Sequence, residues 1–215
     1  VIDKDAILFD DSYITVVNKP HGLQCEPDKN GHPDLCNELR KYFNKINKPA
    51  KIIQPVNRLD RPVGGIVLIA KKAAALVELN RLQENREIHK TYTALVDGIP
   101  SPAEATLSHY ILKDVLAKKS FVSNEPKKDA KPCQLSYQII SVDEDVARLE
   151  IELHTGRYHQ IRAQLAFIGH PVFGDLYYGS KNPFLPNSIC LHASRLVFPH
   201  PITKDMITVE SSPFF

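Results

Sequence analysis

No stretch of this sequence stays apolar for the ~20 residues that a bilayer-spanning helix needs, so no helical membrane span is expected. Nor does it open on a basic stretch followed by an apolar one, the pattern of a secretory signal. Cysteine is sparse: Cys25, Cys36, Cys133 and Cys190 lie far apart and form no CxxC pair. That spacing offers neither a disulfide framework nor a zinc ribbon, and it fits a reducing cytoplasm. Excess charge of one sign is also lacking, since 27 Lys and Arg against 25 Asp and Glu leave a net +2. A nucleic-acid partner is permitted by that balance, but any basic surface must then be local. Internal repeats and low-complexity tracts are absent. What remains, 43% hydrophobic and 24% charged residues, is the composition of an ordinary globular chain. Its 215 residues are ample for one packed core with room for two lobes.

Several catalytic signatures are missing as well. There is no HExxH, and His154 and His159 are not at the i, i+4 spacing of a helical zinc pair. Cys25, His32 and Cys36 suggest three metal ligands without a fourth. No GxSxG elbow is present. Gly64-Gly65 lacks the Walker spacing and the Lys-Ser/Thr that follows it. Cys190 and His192 would share one face of a strand with no third group, so a core cysteine is the simpler reading.

What is present alternates short β-branched runs with helical periodicities. Ile7–Phe9 and Ile14–Val17 read as two strands around an Asp-Asp-Ser turn. From Pro33 to Ile46, residues Leu35, Leu39, Tyr42, Phe43 and Ile46 fall on one helical face. Gly65–Ala70 holds the continuous run Ile66-Val67-Leu68-Ile69, as expected of a strand buried on both faces. Lys72–Asn85 is predicted helical around Leu76, Leu79 and Leu82, and Ile88–Val96 is predicted as a strand. Further strands are expected at Cys133–Val142, Val146–His154, Ile189–Phe198 and Met206–Val209, with a helix at Tyr158–Phe167. Strands outnumber helices and often follow one another, which predicts an α+β fold with a mixed, mainly antiparallel central sheet and flanking helices. Lys113–Lys131 carries six lysines against three acids and little periodicity. It reads as a mobile basic loop or hairpin, either simply solvated or a phosphate-contacting arm.

Three places could carry chemistry. Asp60 stands in Val56-Asn57-Arg58-Leu59-Asp60-Arg61. Guanidinium groups favour the ionised form of a nearby carboxylate, and an oriented carboxylate can act as a nucleophile. An Arg-Leu-Asp triplet is more often a structural salt bridge. His154-Thr155-Gly156-Arg157-Tyr158-His159-Gln160-Ile161-Arg162 gathers two arginines near a helix start, a natural anion site, with Gly156 placed to allow a tight turn. Arg157 and Arg162 are five apart and diverge on a regular helix. Tyr92, in a strand, is either a core residue or a platform on which a base stacks.

Taken in order, five blocks resemble the RluA-type branch of the RNA pseudouridine synthases. They are ILFDDSYITVVNKPHGL (7–23), NRLDRPVGGIVLIAK (57–71), KTYTALVDG (90–98), HTGRYHQIRAQLAFIGHPVFGDLYYG (154–179) and LHASRLVFPHP (191–201). The resemblance implies an enzyme that isomerises uridine in a folded ribosomal or transfer RNA stem-loop, with no cofactor and no metal. It implies Asp60 as the catalytic nucleophile, Tyr92 as the platform under the target uracil, and Arg157 as the partner of the aspartate. Arg58 would fill the space left by a flipped nucleotide, Ile161 and Leu191 would wall the base pocket, and Arg162 is carried along as a further RNA-binding residue. A cytoplasmic monomer without membrane contact is expected. So is a single catalytic domain over residues 1–215, without the small N-terminal RNA-binding domain joined to several relatives. An RNA-binding relative that has lost catalysis is the alternative, because three positions depart from the commonest pattern. Asn57 replaces a histidine, and Val63 and Gly64 replace a Thr-Ser pair.

Overall fold

The periodicities become eleven strands and three helices among residues 2–215, which a computed structural model of the chain describes. In chain order come β1 (Ile7–Asp10), β2 (Ile14–Lys19), α1 (Leu35–Lys45), β3 (Gln54–Pro55), β4 (Gly64–Ala70) and α2 (Ala73–Glu84). Next are β5 (His89–Asp97), β6 (Glu104–Asp114), β7 (Lys119–Ser123), β8 (Lys131–Asp143), β9 (Val146–Leu153) and α3 (Gln160–Phe167). The last two strands are β10 (Leu191–Pro199) and β11 (Met206–Glu210). Chain packing divides these into two units, residues up to His89 with His192–Phe214, and Lys90–Leu191 with Phe215.

The first unit is built around β4, whose seven residues are all buried. Its β-branched run suits a strand flanked on both faces. β2 pairs with it antiparallel from Ile14 opposite Ala70 to Lys19 opposite Gly65. β10 pairs with it parallel, His192 opposite Gly64 and Ala193 opposite Gly65. Gly65 has φ +110°, and a Cβ there would lie 2.4 Å from the Ala193 carbonyl oxygen, so only glycine permits the approach. β1 pairs with β2, and β11 with β10, both antiparallel. Asp34 caps α1 by accepting the Asn37 N–H at 2.9 Å, and the helix buries Leu35, Leu39 and Phe43. α2 buries Ala75, Leu79 and Leu82, while Leu76 is half-buried. His200 ties two turns together: its Nε2–H donates to Asp11 at 2.8 Å and its Nδ1 accepts the Thr203 N–H at 3.0 Å.

The second unit is an antiparallel sheet in the order β5-β9-β8-β6-β7. Cys133, Leu135 and Tyr137 of β8 and Leu149 and Ile151 of β9 alternate inward. Ala163 of α3 packs with Ile111, Cys133 and Tyr178. The basic segment resolves into the end of β6, a turn, β7 and an irregular stretch, so its hairpin form is the one adopted. β6 was not anticipated: Thr106 and Ser108 alternate with only half-buried neighbours, which leaves a weak apolar signal.

One buried group makes stability depend on acid. His192 is 3% exposed, its Nε2 meets the Ser211 hydroxyl at 3.0 Å, and its ring stacks with His21 at 6.1 Å. Burial first, then the charges of His21 and Lys19, push its pKa from 6.5 down to about 4. The unfolded chain therefore takes up a proton near pH 6.5 that the folded chain refuses until about pH 4, so stability falls as pH drops through that window. Urea unfolding from pH 7 to 4 should show this loss, with a slope of up to about 1.4 kcal/mol per pH unit from this group. His192→Gln should flatten the slope, and an unchanged slope would remove His192 as its source.

Candidate active site

The segment between β3 and β4 carries Asp60, which is partly exposed while its neighbours Leu59 and Val63 are buried. Nearly every residue beside it is fastened. The buried Asn57 side chain donates from Nδ2 to the Ile66 carbonyl at 3.1 Å and accepts the Leu68 N–H at Oδ1 at 2.8 Å. It thus pairs with β4 as a strand would, at one of the positions that departs from the family's commonest pattern. The Leu59 N–H donates to Cys25 Sγ at 3.2 Å, and the thiol donates to the Leu59 carbonyl at 3.3 Å. Burial raises the Cys25 pKa, which keeps it a thiol and therefore a donor. The Val63 N–H closes a turn on the Asp60 carbonyl at 3.0 Å, and the Gly22 N–H holds the Arg61 carbonyl at 2.8 Å.

Beneath this turn lies Lys19, 0% exposed. Its Nζ donates to the carbonyls of Leu23 at 2.7 Å, Pro20 at 3.0 Å and Arg61 at 3.5 Å. Burial lowers its pKa to about 8, against the opposing pull of Cys25 and Asp60, which favour its charged form. Arg58, 71% exposed, meets Glu26 at 3.0 Å, and Arg61 donates from Nε to the Gly22 carbonyl at 3.1 Å. Lys19 and Cys25 escaped the sequence reading as supports of Asp60. The available signal was a lysine closing a strand that carries Ile14, Val16 and Val17.

The second unit carries the remaining predicted residues. Tyr92 lies on β5 opposite Ile151 of β9 and is 6% exposed. Arg157 is exposed in the turn after β9, with its Nε 3.3 Å from the Pro132 carbonyl. The buried Gln160 side chain organises that turn: Oε1 accepts the Arg157 N–H at 3.0 Å and the Thr155 hydroxyl at 2.8 Å, while Nε2 donates to the Gln134 carbonyl at 3.1 Å. The tight turn expected of Gly156 is made elsewhere. His159 takes the left-handed conformation at φ 52°, its ring stacked on Tyr158 at 3.8 Å and 3.1 Å from the Tyr178 hydroxyl. Ring contacts on a non-glycine residue offset the steric cost of that backbone.

Arg162 is placed differently from the expectation of an RNA-facing side chain. It is 6% exposed and bidentate to the buried Asp175, at 2.7 Å and 3.0 Å, with its guanidinium 4.9 Å from the Tyr178 ring centre. A helix start buried in the unit needs that carboxylate to compensate the charge. Ile161 and Leu191 are buried at 5% and 3% exposure. Among the described residues no group of three or more His, Cys, Asp or Glu is arranged to hold a metal, and no helix is long and apolar enough to cross a membrane.

With the candidate residues of each unit described, comparison with known proteins defines the class. The profile of the RNA pseudouridylate synthase family matches residues 13–167, which take in parts of both units. The chain is 32% identical over 208 residues to the uncharacterized RNA pseudouridine synthase YhcT of Bacillus subtilis (strain 168), covering 97% of this chain and 68% of that protein. It is also 32% identical over 217 residues to the dual-specificity RNA pseudouridine synthase RluA of Escherichia coli (strain K12), covering 97% and 93%. The solved structure of human RNA pseudouridylate synthase domain containing 4 superimposes with a TM-score of 0.81 at 21% identity, over 98% of this chain and 90% of that one, which supports the α+β fold.

The chain belongs to the RNA pseudouridylate synthase family, and it is an RNA pseudouridine synthase, an isomerase.

Removing the Asn57 amide would leave the Leu68 N–H and the Ile66 carbonyl without this buried partner. Asn57→Ala should therefore lower unfolding free energy by about 1–3 kcal/mol, measured by denaturant titration. A loss of a few tenths would mean that water restores both bonds.

Proposed function

We propose that this enzyme isomerises a uridine in a folded ribosomal or transfer RNA stem-loop, with Asp60 as the nucleophile. The observation that carries the reading is a partly exposed carboxylate on a segment whose backbone or side chains are held at Asn57, Leu59, Arg61 and Val63. Such preorganisation is what an attacking group needs, because misplacement by about 1 Å can cost on the order of a hundredfold in rate. The dual-specificity relative and the ribosomal large subunit pseudouridine synthase C of Buchnera aphidicola, 32% identical over 212 residues, support the two substrate classes.

The reaction breaks the bond from uracil N1 to ribose C1′ and forms one from C5 to C1′; C5 loses its proton to solvent and N1 takes one up. No electrons are gained or lost. Asp60 attacks ribose C1′ as the bond to N1 breaks, the base turns over Tyr92, which supplies an aromatic face, and C5 then displaces the carboxylate from C1′. Arg157 is the guanidinium that the family pattern pairs with the catalytic aspartate, and Arg58, already exposed, is the candidate to occupy the space of a flipped nucleotide. Ile161 and Leu191 remain the apolar wall candidates. We take the two units to act as one catalytic domain and the enzyme to work as a cytoplasmic monomer. Four buried free cysteines support the reducing compartment.

Asp60→Asn should abolish tritium release from C5-labelled uridine RNA while RNA affinity changes less than about twofold, because the amide keeps the shape but is a far weaker nucleophile. Wild-type turnover by the variant would overturn the assignment. An RNA-binding relative without catalysis would release no tritium even as wild type.

RNA grip is assigned to the basic hairpin of the second unit. The Tyr158 hydroxyl donates to the Lys118 carbonyl at 3.2 Å, the Tyr177 hydroxyl donates to the Ala117 carbonyl, and Lys119 Nζ donates to the Tyr177 carbonyl at 2.8 Å. Those bonds fix the tip while Lys118, Lys127 and Lys128 stay exposed. The triple variant Lys118→Ala/Lys127→Ala/Lys128→Ala should weaken RNA binding and reduce the slope of log affinity against log salt by about 0.7–0.9 for each phosphate that a lysine had neutralised. An unchanged slope would make the hairpin a solvated surface.

A further inference from the structure

His21 and Gly64 form a pair that bears directly on how Asp60 is held. His21 follows Lys19-Pro20 in the turn after β2, and Gly64 begins β4 four residues after Asp60. The His21 Nδ1 lies 2.8 Å from the Pro62 carbonyl oxygen. A carbonyl only accepts, so Nδ1 carries the hydrogen and donates it. The neighbouring Gly22 N–H donates to the Arg61 carbonyl at 2.8 Å. Two successive residues of one turn thus hold the two carbonyls that follow Asp60.

The His21 ring reaches this position because residue 64 has no side chain. A Cβ on Gly64 would lie 2.3 Å from both Cδ2 and Nε2 of His21, and 3.2 Å from Nδ1 of His192. No real Cβ tolerates the first contact. The ring is flanked by His192, stacked at 6.1 Å between centres, and by Phe214, edge-on at 4.9 Å. Moving it aside would disturb both contacts and the bond to the Pro62 carbonyl. The commonest family pattern has a serine where Gly64 stands, so the departure at Gly64 creates the space that His21 occupies.

We propose that His21 is a positioning residue for Asp60, acting through the Pro62 carbonyl, and that Gly64 is required because it admits the His21 ring. The inference rests on Asp60 being the nucleophile. It concerns kcat and not RNA capture, because neither residue presents a charge or a donor to a phosphate.

The test is a set of variants read by kcat, KM, RNA affinity and thermal unfolding. His21→Phe keeps a ring and loses the Nδ1 donor, whereas His21→Asn places an amide N–H at nearly the same point. His21→Phe should lower kcat on the order of ten- to a hundredfold with KM and RNA affinity within about twofold. His21→Asn should recover most of the loss. Gly64→Ser should lower kcat comparably by displacing the ring, and in a His21→Ala background the same serine should add little further loss. Equal kcat for His21→Phe and wild type, or additive effects of the Gly64 and His21 substitutions, would overturn the proposal. So would losses that track thermal unfolding alone, with His21→Asn no better than His21→Phe. Asp60→Asn in the same assay separates the outcomes: full turnover there would sink the nucleophile reading, whatever His21 does.

Discussion

The segment that carries Asp60 depends on one buried ammonium. Taking a lysine out of water costs several kcal/mol unless its donors are met, and Lys19 is fully enclosed. Its requirement is met by the carbonyls of Pro20, Leu23 and Arg61, which converge on Nζ from two separate segments. The first two wrap the turn after β2 around the charge. The third belongs to the residue directly after Asp60, so satisfying the lysine and locating the candidate nucleophile are one event. Burial lowers the Lys19 pKa to about 8, with Cys25 and Asp60 opposing the shift.

The second unit solves a similar problem with different chemistry. Arg162 is enclosed at the start of α3, and a guanidinium cannot shed its proton to relieve burial. Asp175 therefore meets it with two parallel bonds, and the Tyr178 ring covers it. Tyr178 also accepts the Ser120 N–H through its hydroxyl at 2.8 Å and stands 3.1 Å from the His159 ring nitrogen. One aromatic side chain thus ties the buried ion pair to β7 and to the left-handed residue that opens α3. The Arg157 N–H is held separately, by the Gln160 side chain, while its own side chain stays exposed. Of the two arginines in one motif, the buried one organises the unit and the exposed one faces solvent.

This division explains what could be read from the chain and what could not. Ile66–Ile69, the Leu35–Phe43 face and the Leu79–Leu82 face were legible because burial there follows directly from period. β6 was not, since only Ile111 among its residues is buried and polar ones intervene. Asp60, Tyr92 and Arg157 stand out as candidates only through spaced motifs, for local physics offers each a structural reading as well. Arg162 was misjudged because its partner, Asp175, lies 13 residues away on no common period. The supports of Asp60 were invisible for the same reason: Asn57 reaches β4, and Cys25 reaches Leu59 across 34 residues.

The departures from the family's pattern carry a physical logic of their own. A segment that presents a nucleophile must be rigid, but no single bond has to supply the rigidity, since each hydrogen bond contributes only about 0.5–1.5 kcal/mol net. Several weak anchors can therefore be exchanged one at a time while their sum stays sufficient. Asn57 obtains two bonds to β4 from a side chain shorter than histidine. Val63 keeps the β-branched shape of threonine in a position only 2% exposed, where a hydroxyl would need its own partner. Its backbone N–H, indifferent to the side chain, still closes the turn on Asp60. The candidate nucleophile has no such latitude, because in the proposed reaction its charge and reach are the chemistry itself. Drift in the residues around Asp60 is thus what distributed anchoring permits, and it is a poor sign that the activity has been lost.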